Sequence, residues 1–131
     1  MYRNVAVVVV LLSMMGAAVA AGPAPQILSP TNGSRIGPSV DVVGKTVGKQ
    51  FVILLTDVYV EGADRAPWQT IPGHRHWTDD AGNFDLRIST PRIWFRGSRD
   101  AKLTYKIRAF TISPNGERSE TATVTCYPDD Q

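Results

Sequence analysis

The sequence predicts an all-β fold, a single antiparallel sandwich of about seven strands, and three observations lead there. First, two alternating runs between Leu103 and Cys126 flank Asn115-Gly116, the strongest short-range hairpin signal. Leu103, Tyr105, Ile107 and Ala109 share one face, and Thr104, Lys106 and Arg108 take the other. In the return strand Ala122, Val124 and Cys126 alternate with Thr121, Thr123 and Thr125. A hairpin of this kind has one buried face and one wet face. Second, all 9 prolines fall between the predicted strands, as they must where a ladder needs N–H donors. Third, no stretch carries a helical period, and the short apolar runs are bounded by turn residues.

The elements follow in order. Arg3, the apolar run Val5 to Leu12 extended through Met14 and Met15, and Ala18-Val19-Ala20 make the three parts of a secretory signal. Cleavage is expected after Ala20, with Ala21 as the alternative, so residues 1–20 are signal and 21–25 a short extended leader. The apolar run is shorter than the roughly 20 residues of a spanning helix, so no stable membrane insertion is expected once the signal is cut. The mature chain is expected to be secreted, or periplasmic or otherwise in the cell envelope. The domain is expected over 26–128, roughly 100 residues, enough for one core.

Within it, Gln26 to Leu28 reads as a short strand and Ser29 to Ser34 as a turn cluster. Val40 to Val47 reads as a strand with a kink or bulge at Gly44. Gln50 to Val60 is the most apolar run of the mature chain. Its consecutive Val52, Ile53, Leu54 and Leu55 suit a central strand covered on both faces, which leaves the core near Asp57. Glu61 to Pro67 is a polar loop, Trp68 to Ile71 a short strand, Pro72-Gly73 a turn and His74 to Trp77 another short strand. A turn over Asp79 to Asn83 precedes Phe84, Leu86 and Ile88, which alternate with Asp85, Arg87 and Ser89. Thr90 to Ala101 is a longer loop before the closing hairpin.

Composition narrows the function classes. With 14 Lys and Arg against 12 Asp and Glu, the overall charge gives no reason to expect a nucleic-acid partner. Cys126 is the 1 cysteine, so no intrachain disulfide can form. It continues the inward face of Ala122 and Val124 and is expected to pack as a small buried hydrophobe.

The final hairpin, Tyr105-x-Ile107-x-Ala109 followed by Asn115-Gly116-Glu117 and Ser119, resembles the last two strands of fibronectin type III and related sandwiches. Ile27-x-x-Pro30-x-x-Gly33-x-x-Ile36 resembles the opening of bacterial Ig-like domains of exported proteins, and the Asp80 to Phe84 turn and strand are common in that group. The resemblance implies an Ig-like or fibronectin type III-like sandwich that acts as a spacer, stalk or docking module. The chain departs from antibody-type domains, because the Cys…Trp…Cys spacing is absent.

Candidate sites are few. No serine nucleophile elbow, phosphate-binding glycine loop or framed pair of catalytic carboxylates stands in the chain, so no enzyme and no cofactor is expected. His74, His76 and Asp79 are the candidate metal ligands, since a His pair plus a carboxylate suits zinc. Spacing fixes no third ligand, and a polar edge strand accounts for the same residues. Asp79 to Asp85 lacks the calcium-loop register. Asn32-Gly33-Ser34 is a glycosylation sequon and equally a plain turn. Trp94 and Phe95, with Arg92 and Arg96, are the candidate partner-binding residues, because aromatics and Arg dominate interface hot spots. Trp68 and Trp77 are expected as plugs in the core or at its rim. The expected function is an exported, non-catalytic binding or structural module, acting by contact with an unidentified protein at the cell envelope or outside the cell. A small carbohydrate-binding module using loop tryptophans to hold a glycan is the alternative.

Overall fold

A computed structural model describes residues 22–61, 66–90 and 102–129. The expected signal segment, residues 1–20, and the expected loop residues Arg92, Trp94, Phe95 and Arg96 lie outside the described residues.

The described chain is all-β. Its strands are β1 (Gln26–Ser29), β2 (Arg35–Ile36), β3 (Ser39–Lys45), β4 (Phe51–Val60), β5 (Gln69–Pro72), β6 (His76–Trp77), β7 (Asn83–Ser89), β8 (Leu103–Ile112) and β9 (Ala122–Pro128). They form two sheets, β1-β3-β7 and β2-β9-β8-β4-β5, with β6 also paired to β4. All pairings are antiparallel except β2 with β9. The arrangement is compatible with a β-sandwich. Two of the nine strands, β2 and β6, are two residues long and too brief for alternation to announce them.

One core lies between the sheets. Val42, Phe84 and Ile88 come from the smaller sheet. Val52, Leu54, Val58, Tyr105, Ile107, Val124 and Cys126 come from the larger. The hairpin face expected to be buried is buried: Tyr105, Ile107, Ala109 and Cys126 are 0% exposed. Apolar burial of this kind contributes about 25 cal/mol per Å2.

Local details differ from the sequence reading for physical reasons. The irregularity beside Gly44 belongs to β1, where the register slips between Ile27 and Ser29, whereas β3 pairs with β7 without interruption. Gly44 is required by close approach: a Cβ there would lie 2.3 Å from the Gln26 carbonyl oxygen and 2.3 Å from Phe84 Cζ. The strand does not leave the core at Asp57 but runs on to Val60. Pro72 and Pro128 stand inside strands, each as the last residue, where a missing donor costs little.

The closing turn is a three-residue loop. Gly116 N donates to Ser113 O at 2.9 Å, Ser113 N donates to Glu117 O at 2.9 Å, and Gly116 has φ +90°. That is a type I turn closed by a left-handed glycine, so Asn115 avoids positive φ and Gly116 supplies it. Between the Ile112–Arg118 bridge and the Ala109–Ala122 pair the return strand carries an extra residue. Ser119 covers the gap, its Oγ accepting from Thr111 N at 2.8 Å.

Candidate functional site

The period of two in β4 and β8 decides what the larger sheet shows to solvent. Val52, Leu54, Thr56 and Val58 point into the core, so Phe51, Ile53, Leu55, Asp57 and Tyr59 point outward. On β8 the inward set leaves Thr104, Lys106, Arg108, Phe110 and Ile112 outward. The ladder sets Phe51 opposite Ile112, Ile53 opposite Phe110, Leu55 opposite Arg108, Asp57 opposite Lys106 and Tyr59 opposite Thr104. Phe51, Ile53 and Leu55 stay half-buried, so among the described residues β4 is fully covered on its inner face and partly covered on its outer one.

Cations are stacked on this apolar row. Arg75 sits 4.9 Å from the Phe51 ring centroid, Lys106 4.9 Å from that of Tyr59 and Arg118 3.8 Å from that of Phe110. Each contact is attractive through the ring quadrupole, by about 0.5–1 kcal/mol at an exposed site. Trp77 packs edge-on against Phe51, with centroids 4.9 Å apart and planes at 68°. Arg118 helps to explain why Phe110 is only 7% exposed although it lies outside the core cluster.

At the middle of the face lies a buried carboxylate. Asp57 accepts from Thr70 Oγ1 at 2.6 Å and from Arg108 Nη2 at 3.1 Å, with Arg108 Nε 2.8 Å from its other oxygen. The Asp57 side chain is 7% exposed and that of Arg108 is 32% exposed. The outward-facing carboxylate is thus neutralised in place, while Arg75, Lys106 and Arg118 have no ion-pair partner among the described residues. Lys49, two residues before Phe51, and Arg87, on the smaller sheet, do have carboxylate partners, Asp80 and Asp41.

Trp68 and Trp77 are not core plugs: they are 51% and 45% exposed. Both flank the β4 edge, where β5 and β6 are too short to cover an indole. Trp77 pairs with Phe51, and Trp68 N donates to Val58 O at 2.7 Å. Those two β4 residues are separated by about 23 Å of strand at ~3.3 Å per residue, so the indoles bracket the face and do not make one platform.

The candidate metal ligands are dispersed in role. His76 is in β6 opposite Val52, whereas His74 precedes the strand and lines a hollow with Arg87 and Ser89. Asp79 is used by its turn, its Oδ1 accepting from Asn83 N at 3.2 Å. Among the described residues no three His, Cys, Asp or Glu are grouped to hold a metal ion. Asn32 is also engaged, its Oδ1 accepting from Thr125 N at 2.8 Å. Cys126 is buried as expected, and desolvation raises its pKa above the ordinary thiol value. The partner-binding candidates Arg92, Trp94, Phe95 and Arg96 are outside the described residues.

Comparison with protein-family models and with curated proteins finds no match for this chain.

Proposed function

We propose that this protein is an exported, non-catalytic Ig-like module that docks another protein on the outer face of its larger sheet. The observation that carries the reading is the row of half-buried apolar side chains on β4, roofed by cations and bracketed by two half-exposed tryptophans. Aromatics and Arg are the side chains that anchor interfaces. The Ig-like assignment is supported by strand order: β1-β3-β7 follows the order A-B-E, and β9-β8-β4-β5 the order G-F-C-C′. It is also supported by Tyr105 near the start of β8, whose hydroxyl donates to Thr90 O at 3.3 Å, as in a tyrosine corner. Export rests on the signal-like segment at residues 1–20.

The test is site-specific photocrosslinking in the cells that make the protein. A photoreactive residue at Leu55 or Tyr59 is expected to capture a discrete partner, and one at Asp85 on the smaller sheet is not. Capture from Asp85 alone, or from none of the three, overturns the reading. The carbohydrate-binding alternative is favoured by the half-exposed Trp68 and Trp77. Glycan binding that quenches tryptophan fluorescence and is lost on Trp68→Ala would select it.

A further inference from the structure

Resting on that docking reading, we propose that the partner presents an acidic protein segment carrying apolar side chains, which lies along β4 and β8. Charge carries the choice. Among the described residues the outer face holds Arg75, Lys106, Arg108 and Arg118 against Asp57 within the sheet and Glu61 at the end of β4, and Arg108 is already spent on Asp57. Each of the three remaining cations rests on an aromatic ring, so it is held in place before a partner arrives. Preorganisation of this kind lowers the ordering cost of binding.

The same stacking selects among anions. Phe51, Tyr59 and Phe110 are each roofed by a cation, which removes their faces from sugar stacking. Ile53 and Leu55 lie between the cationic positions and reward aliphatic groups, which a polysaccharide lacks. A bilayer asks for apolar groups on protruding loops that can pass the headgroups. Here they sit flush in mid-sheet. The strand residues of β4, β8, β9, β5 and β6 give a face of about 500 Å2 at ~3.3 Å per residue and ~4.8 Å per strand. A standard interface takes about 800 Å2 per partner, so the face suits one extended segment or a modest surface. A second copy offers the same cations to this face and is repelled by it.

The experiment measures binding of fluorescent poly(Glu,Tyr) to the processed protein by anisotropy, beside poly-Glu, poly(Lys,Tyr), heparin and phosphatidylglycerol vesicles. Poly(Glu,Tyr) is expected to bind best, and added salt to weaken it. Lys106→Glu with Arg118→Glu is expected to weaken it about tenfold, which is about 1.4 kcal/mol over two exposed contacts. Lys45→Glu with Arg87→Glu makes the same net charge change on the smaller sheet and is expected to move binding less than about twofold. Lys106→Gln with Arg118→Gln repeats the test should the reversal unfold the domain, as read by circular dichroism. Equal losses in the two reversed proteins overturn the proposal. So does preference for heparin or for vesicles, or self-association through this face in sedimentation. Preference for poly(Lys,Tyr) that is lost on Trp77→Ala overturns the acidic partner and keeps the docking reading. Failure of every polypeptide to bind overturns both.

Discussion

Removing Arg108 should cost more stability than removing its partner Asp57. Both belong to one ion pair, but they differ in access to water. The Asp57 side chain is 7% exposed, and without Arg108 its one remaining hydrogen bond among the described residues is from the Thr70 hydroxyl at 2.6 Å. Breaking a buried pair in this way costs 3–5 kcal/mol, and the lower end applies because Arg108 is itself 32% exposed and water reaches the site once it is gone. Arg108→Ala is therefore expected to cost about 3 kcal/mol, a fall in melting temperature of roughly 10–20 °C for a domain of this size. Asp57→Ala leaves a guanidinium that can swing into solvent, and about 1 kcal/mol is expected. The double variant strands no charge and is expected to be more stable than Arg108→Ala alone, a sign that only a coupled pair produces. Urea unfolding of all four proteins at pH 7 reads these differences directly. An Arg108→Ala cost equal to or below that of Asp57→Ala would refute the reasoning. So would loss of the whole effect in 0.5 M salt, which marks a surface pair.

Other perturbations test separate parts of the structure. Gly44→Ala forces a Cβ to 2.3 Å from backbone oxygen and from the Phe84 ring, so a loss of about 3 kcal/mol is expected; a melting curve like that of the parent would show that β1 and β3 can part freely. Tyr105→Phe removes the hydroxyl bond to Thr90 O and is expected to cost about 1 kcal/mol in the same assay, whereas no cost would dissociate that bond from stability. Cys126 should resist a thiol reagent at pH 7 and react at once in guanidinium, and fast labelling of the folded protein would contradict its burial. Because burial raises its folded pKa above the ordinary thiol value, the folded state holds its proton to higher pH than the unfolded chain. Its contribution is thus fully present below the unfolded pKa and is lost as pH rises through the folded one, which alkaline unfolding of Cys126→Ala beside the parent can check.

Alternation made most of this fold legible. The inward face of β8, the inward Val124 and Cys126, and Phe84 with Ile88 all follow from a period of two, because one side of each strand meets the core. The two-residue strands β2 and β6 are held by partners distant in sequence, which no local pattern reports. The outer face of β4 was obscured by its own composition. Phe51, Ile53 and Leu55 look like core residues beside Val52 and Leu54, and only their partial exposure among the described residues marks the outer face. Trp68 and Trp77 misled in the same way, since size and apolarity suggest burial while short edge strands cannot provide it. Lys106 and Arg108, already assigned to the wet side of the hairpin, were the signal that could have marked the face, had their cross-strand partners been known.

The central claim, that the outer face of the larger sheet is where a partner docks, is tested most directly by amide chemical-shift mapping of the labelled protein as poly(Glu,Tyr) is added. Shifts confined to β4, β8 and the flanking residues around Arg75 and Arg118 are the result predicted. Shifts concentrated on β1, β3 and β7, with β4 and β8 unmoved, would contradict it.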